Sequence, residues 1–363
     1  MNINQFIDTY GKFPFSALYD GGVRFLENTT YNTTFSRVSF DGYNEETQQL
    51  AANLHNDSYA FNLKIDRFDP KKENVIITCI RDNSNLLDFL LTKLTKIAKT
   101  NKCDILVVDD RSVDDSVYSV AEKHGVSYLR IDNGSNLYSY SMINNIAVAY
   151  VNSFGKKYCL FWNSDMWPAD TKTLKNLIKK HHKSGATLSG TRLLYPPQED
   201  YQKIFDGYDH VLGDLSKIFG RIQHGGIIFK QFRHSEDNKY FATPLRPIHQ
   251  WRFYKADHNM ACLDIPAFAV TGAYWMISTQ DFIDAGGFNM SLPNTFQDMD
   301  FCLRLITLNK SILYIGSEFL YHAESILNKK FGNTDEGHLS DNLVYDYLWS
   351  RHIENILGFR ALL

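Results

Sequence analysis

Four short apolar runs, each followed by a stretch of helical period, govern what this chain can become. Val75-Ile76-Ile77-Thr78-Cys79-Ile80, Ile105-Leu106-Val107-Val108, residues 126–131 and Tyr158-Cys159-Leu160-Phe161-Trp162 show no apolar–polar alternation. That is the signature of strands buried on both faces. Residues 86–99 carry Leu87, Leu90, Leu91, Leu94 and Ile97 at helical spacing. Residues 116–124 (stopped by Gly125), 141–153 and 171–183 complete the alternation. Strand–helix repetition of this kind predicts an α/β fold, a Rossmann-like, mostly parallel central sheet flanked by helices. Ligands of such sheets bind beyond the carboxyl ends of the strands. The residues to inspect are therefore Arg81-Asp82-Asn83, Asp109-Asp110-Arg111-Ser112 and Asn163-Ser164-Asp165.

The remainder divides around this unit. Residues 1–70 are rich in Asn, Thr, Tyr and Phe without sustained period, and close on Phe68-Asp69-Pro70-Lys71-Lys72. They read as an N-terminal extension packed on a main domain of residues 71–325, because so many aromatics suit packing better than a free tail. Residues 185–260 are irregular and rich in Tyr, His and Arg, an excursion suited to shaping an acceptor side. Regular structure is expected again over 267–277, with a helix over 279–285 closed by Gly286-Gly287, a helix over 299–308 and a strand over 312–315. Residues 326–363 form a C-terminal tail with an amphipathic helix over 341–357.

Charge and cysteine usage exclude several classes. A formal charge of -3 and a pI near 6.5 argue against a nucleic-acid binder, which needs a basic face. The five cysteines form no C-x-x-C pair and sit mostly in apolar runs, so they read as reduced, packed thiols. No stretch reaches the roughly 20 apolar residues of a membrane span, and the N-terminus lacks the pattern of a secretion signal. The expected location is the cytoplasm, with association at the inner face of the membrane compatible with it.

Each candidate site has two readings on local grounds. Asp165 stands where a carboxylate coordinates a cation bridging two phosphates, but Asn and Asp are also ordinary turn residues. Asp109 and Asp110 suit a base imide and a ribose hydroxyl, or a plain strand end; Asp114 and Asp115 suit capping of the next helix. Asp298, at a helix start, suits a general base or an N-cap, and Arg304 suits an ion pair with Asp300. His322, His224, His249 and the pair His181-His182 lack metal spacing of their own.

The order of these features is more specific than any one of them. A strand ending in Val-Val-Asp-Asp-x-Ser is followed by one ending in Asn-x-Asp-x-x-Pro and by Val270-Thr271-Gly272-Ala273. Then come Gly286-Gly287-Phe288, the segment from Gln297-Asp298-Met299-Asp300 to Arg304, and His322. This arrangement resembles glycosyltransferase family 2, of GT-A fold, over about residues 75–325. It is similar to the bacterial rhamnosyltransferase-like branch, where Ile222-Gln223-His224-Gly225-Gly226 also has counterparts.

The resemblance implies an inverting transfer of a sugar from a nucleotide-diphosphate sugar to a hydroxyl of a glycan, lipid-linked or protein-linked acceptor. Thr78, Arg81, Asp109 and Asp110 would contact base and ribose. Asn163 and Asp165 would form the DXD-type motif, with Asp165 and His322 on a divalent metal, Mn2+ or Mg2+. Asp298 would be the general base. Three departures stand out: Asn163 removes one charge from that motif, Gln297 replaces a common Glu, and Asn136-Leu137-Tyr138-Ser139 lacks a glycine. A catalytically silent sugar-nucleotide or glycan-binding protein and a sugar-phosphate nucleotidyltransferase are the competing readings. The latter wants a basic Gly-rich loop after the first strand, which Arg81-Asp82-Asn83-Ser84 does not supply.

Overall fold

Val75, Ile76, Ile77 and Ile80 put apolar bulk on both sides of one strand, and the fold buries all four. The computed structural model describes residues 64–131, 139–204, 217–230, 233–236, 239–242, 246–289 and 292–323, and five positions of the tail, 341, 345, 348, 349 and 353. The expectations for residues 1–63, for Asn136-Leu137-Tyr138 and for most of the tail lie outside them.

In chain order the first half runs β1 (Lys64–Ile65), β2 (Asn74–Ile80), α1 (Ser84–Thr100), β3 (Cys103–Asp110), α2 (Ser116–Lys123), β4 (Ser127–Ile131), α3 (Tyr140–Asn152), β5 (Tyr158–Trp162) and β6 (Met166–Pro168). There follow α4 (Thr173–Ser184), β7 (Leu188–Leu194), α5 (Gln198–Ile204), β8 (Ile222–His224) and β9 (Ile227–Lys230). Two short ladders come next, with β10 (Arg233–Glu236) on β11 (Lys239–Ala242) and β12 (Arg246–His249) on β9. The chain then gives β13 (Asp264–Pro266), β14 (Tyr274–Ser278), α6 (Thr279–Asp284), α7 (Gln297–Thr307) and β15 (Ile312–His322).

The central sheet has the order β1-β4-β3-β2-β5-β14-β7-β15-β13, with β6 on β15 and β8 on β7. β4, β3, β2 and β5 run parallel, as their sequence implies. The fold is a mixed α/β one with helices on both sheet faces. On one face pack α3, α6, α7 and the tail residues Tyr345, Trp349 and Ile353; on the other pack α1, α2 and α4.

Three elements depart from the sequence reading. β14 enters antiparallel between β5 and β7, a topology that local periodicity does not encode. β7 was expected inside an irregular excursion, yet all seven of its residues are buried. Its middle, Ser189-Gly190-Thr191-Arg192, is polar, and its three polar side chains each find a partner. Ser189 meets the His181 ring at 2.9 Å, Thr191 donates to the Ile315 carbonyl at 2.9 Å, and Arg192 donates to the Ala256 carbonyl at 2.7 Å. A Cβ on Gly190 would lie 2.6 Å from Val270, so this close approach requires glycine. Finally, residues 267–273 are irregular and the strand begins only at Tyr274. The backbone at Val270 and Gly272 bonds instead to Trp275 and Asp298 side chains, at 3.2 and 2.7 Å.

Two anchors fix the edges of the unit. Fully buried Lys156 donates to Asp104 at 2.7 Å and to the carbonyls of Asp69 and Lys72 at 2.7 and 2.9 Å, tying residues 69–72 to β3. At the other end Asp341, Tyr345, Leu348, Trp349 and Ile353 are helical, and four of them, spaced by four residues, are buried. The Asp341 carboxylate accepts from the Asn294 and Thr295 amides at 3.1 and 2.7 Å and from the Thr295 hydroxyl at 2.9 Å. Tyr345 stacks on Phe296 at 4.5 Å, and Trp349 donates to Asp300 at 2.9 Å. Among the described residues no helix is long and apolar enough to cross a membrane, and all five cysteines are free thiols.

Candidate functional site

The carboxyl ends of β2 and β3 carry Thr78, Arg81, Asp109 and Asp110, and the two aspartates part company there. Asp109 has both oxygens engaged within the protein. It accepts from the Ser112 amide and hydroxyl at 2.8 and 2.6 Å and from the Tyr128 hydroxyl at 2.6 Å. The Ser112 oxygen in turn accepts from the Asp82 amide at 2.9 Å, so Asp109 knits two strand-end loops together. Burial pushes its carboxyl above the usual range, against the pull of those hydrogen bonds.

Asp110 is equally buried but lies against cations, with Arg111 at 3.2 Å. Desolvation raises its carboxyl to about 6, although Arg111 and then Arg81 pull it down. Its Oδ1 and the buried Thr78 Oγ1 have no hydrogen-bond partner among the described residues. Both atoms keep hydrogen-bonding capacity that a bound group could use. Arg81 stands beside them, 3.5 Å from Asp82.

A second group forms where β5 ends. β6 pairs antiparallel with β15, setting Met166 opposite His322 and so bringing Asp165 to the imidazole. Asp165 Oδ1 is 3.2 Å from His322 Nε2, and both side chains are buried. His322 Nδ1 lies 2.8 Å from the Gln223 side-chain oxygen, which only accepts. That partner favours a proton on Nδ1, which leaves Nε2 to face the carboxylate. Two electron-rich atoms facing each other at this distance repel unless a cation, or the proton of an imidazolium, stands between them. The donor set fits a divalent ion. Among the described residues no group of three or more His, Cys, Asp or Glu forms a closed metal cage. Further ligands for such an ion would come from oxygen atoms of substrate and water.

Asn163 stays close to this pair without joining it. Its amide donates to the Ala273 carbonyl at 3.0 Å, and its Oδ1 accepts from the Tyr140 hydroxyl at 3.4 Å. Tyr140 also reaches the Gly272 carbonyl at 3.1 Å, and its raised phenol reflects burial first, then the fields of Cys79, Asp298 and Asp165. Tyr140 thus stands among the strand-end groups.

Asp298 lies in the first turn of α7 and is not its cap, a position held by Phe296 at φ 61°. Its Oδ2 accepts from the Gly272 amide at 2.7 Å and its Oδ1 from the Met299 amide at 2.8 Å. Burial raises its carboxyl above the usual range while these bonds pull the other way. A half-buried carboxylate of raised pKa is suited to accepting a proton. A Cβ at position 272 would come within 3.0 Å of the Asp298 Cβ, which accounts for the glycine. Asp300 instead pairs with Arg304 at 2.8 Å, as the spacing implies, and Arg304 donates to the Gly287 carbonyl at 2.7 Å.

Tyr140 was not singled out in the sequence; Gly272 and Gln223 stood in quoted motifs, but only the fold reveals their partners Asp298 and His322. His181 and His224 are packed inside the protein, away from this pair. His181 is held by Ser189 with its pKa lowered to about 4 by burial, and His224 is bonded to His249 at 2.9 Å.

The family model described as Glycosyl transferase family 2 matches residues 75–285, more than half of the 363 residues. None of the curated proteins matches the chain in sequence. Among solved structures, GalNAc-T7 with UDP, GalNAc and Mn2+ aligns over 70% of this chain and 44% of its own at 10% identity, with a TM-score of 0.44. TarS of S. aureus aligns over 76% of this chain and 43% of its own at 14% identity, with a TM-score of 0.43. The mannosyltransferase PcManGT from Pyrobaculum calidifontis, in complex with GDP-Man and Mn2+, aligns over 80% and 67% at 12% identity, with a TM-score of 0.42. The chain spans less than half the length of the first two.

Proposed function

Since this chain belongs to glycosyltransferase family 2, and has its GT-A fold, we propose that it moves a sugar from a nucleotide-diphosphate donor to an acceptor hydroxyl with inversion at the anomeric carbon. The observation that carries this reading is the Asp165–His322 pair at 3.2 Å, with His322 oriented by Gln223 and Asp298 presented by the Gly272 loop.

Thr78 and Asp110, whose buried Oγ1 and Oδ1 make no hydrogen bond among the described residues, would receive the base and ribose of the donor beside Arg81. Asp109 would act at one remove, by holding the loop that carries Asp110 and Ser112. Asn163 would contact the donor from the strand end and keep Tyr140 in place. Asp165 and His322 would hold a divalent ion, Mn2+ or Mg2+, whose chemistry is to neutralise a departing diphosphate. Asp298 would take the acceptor proton as the acceptor oxygen bonds to the anomeric carbon and the bond from that carbon to the diphosphate oxygen breaks. One base suffices, and no enzyme nucleophile is needed. The described residues 246–260, beyond β8, would face the acceptor, whether glycan, lipid-linked or protein-linked.

The test is to incubate the chain with UDP-, GDP- and dTDP-sugars, varied acceptors and Mn2+ or Mg2+, and to measure free nucleoside diphosphate. Release with one donor class is expected. Tight nucleotide binding without release under any condition would make the protein a silent binder. Pyrophosphate release from a nucleoside triphosphate and a sugar phosphate would make it a nucleotidyltransferase.

A further inference from the structure

Beyond β8 the chain folds back over itself and builds a cavity of about 550 Å3 that the donor site does not use. Arg221, Arg252 and Lys255 line it, together with Phe253, Tyr254 and His258. The opposing charge at its wall is Asp257, which is exposed. The cavity is therefore cationic on a chain whose overall charge is -3. Arg221 is held at 3.4 Å from the Phe253 carbonyl, and Arg252 donates to the Tyr195 hydroxyl at 2.9 Å.

The walls are built rather than incidental. Phe253 stacks parallel to Tyr195 at 5.9 Å and 3°, and the Arg252 guanidinium lies 5.1 Å from the Phe253 ring centre. Trp251 and Phe253 both adopt positive φ, 59° and 69°, a conformation that bulky residues take only when the surroundings impose it. The result leaves Phe253 and Tyr254 about half exposed, at 50% and 53%. An aromatic ring kept half bare next to guanidinium groups matches the apolar face of a sugar ring with an anion beside it.

Its place in the sheet ties this cavity to the site. Tyr321, the neighbour of His322, pairs with Leu194 of β7; Leu194 pairs with Ile222 of β8, next to Arg221. Two strand spacings, about 10 Å, separate the two rows. That is the reach of one or two sugar units.

We propose that this cavity binds an anionic acceptor saccharide, with Arg221 and Lys255 pairing with a phosphate or carboxylate on the unit beside the one that is glycosylated. The proposal rests on the transferase reading for the word acceptor; the saccharide site itself does not. An anionic bilayer would also meet cations and bare aromatics, and the vesicle arm of the experiment separates that occupant from a saccharide.

Binding to the full chain is to be measured with three saccharides: maltotriose, maltotriose carrying one phosphate, and trigalacturonate. Vesicles of phosphatidylglycerol form a fourth arm. The charged saccharides are expected to bind about tenfold or more tighter than maltotriose, with affinity falling as salt rises. Arg221→Gln with Lys255→Gln should remove most of that preference, and Lys255→Gln alone, at an exposed position, part of it. Binding of UDP or GDP should be unchanged in both. Equal affinity for neutral and charged saccharides, retention of the preference in the double variant, or vesicle binding without saccharide binding would overturn the proposal. Failure of the transferase reading looks different: charged saccharides still bind, but no nucleoside diphosphate is released from any donor.

Discussion

Asp110 and Asp109 occupy neighbouring positions on one strand, and their environments assign them different work. Asp109 has spent its hydrogen-bonding capacity on Ser112 and Tyr128, whereas Asp110 keeps an oxygen without a hydrogen bond among the described residues. Burial lifts the Asp110 carboxyl to about 6. If its ionised form receives a ribose hydroxyl, nucleotide affinity should fall about tenfold as pH drops from 7.5 to 5, a titration readable by calorimetry. The linkage to folding has the opposite sign. A carboxyl whose pKa rises on folding contributes stability that is present below its unfolded value near 4 and is lost as pH climbs through about 6. Weaker binding at pH 5 therefore cannot come from unfolding at Asp110, and Asp110→Asn should flatten the binding profile. The sequence placed both aspartates at a strand end but could not separate them, because Tyr128 reaches Asp109 from another strand. Gln223 shows the same limit: its bond to His322 joins residues 99 apart.

At the scale of elements, α7 carries the proposed base and depends on a helix far along the chain. Asp341 accepts three hydrogen bonds from the turn at Asn294 and Thr295, and Tyr345 stacks on Phe296, the residue that starts α7 in a left-handed conformation. Asp341→Ala leaves the Asn294 and Thr295 amides short of a partner, at a cost of about 2–4 kcal/mol in stability. It should also lower kcat more than KM, since the turn aims Asp298; an unchanged kcat in the folded variant would contradict that link. The parallel strands β2 to β5 and their helices were legible in the sequence because uniform apolar runs and helical period encode them locally. β7 was not, since its polar residues are satisfied by His181, Ile315 and Ala256, partners that no window of sequence displays. The antiparallel entry of β14 was equally hidden, because strand order is set by the sheet as a whole.

Across the whole molecule, the sheet gathers groups separated by more than 200 residues along one edge. Between the proposed nucleotide end at Thr78 and Asp110 and the proposed metal end at Asp165 and His322 stands Tyr140, which reaches Asn163 and Gly272, and the latter holds Asp298. Supporting residues should then act on the site without touching substrate. Gln223→Leu removes the acceptor that fixes the His322 tautomer, and should raise the Mn2+ concentration required for half-maximal nucleotide binding by about 10- to 100-fold. Mn2+ dependence equal to that of the unaltered protein would show that His322 does not share the ion. At this scale the sequence conveyed the order of motifs and hence the family, while the bonds of Tyr140 to Asn163 and Gly272 came only with the fold.

The proposed role of Asp298 is to accept the acceptor proton at a donor site built around Asp165. It is tested most directly by measuring nucleoside diphosphate release and donor binding side by side in Asp298→Asn. Turnover should fall by at least about 100-fold with the donor Kd unchanged. Turnover like that of the unaltered protein at full donor occupancy would contradict it.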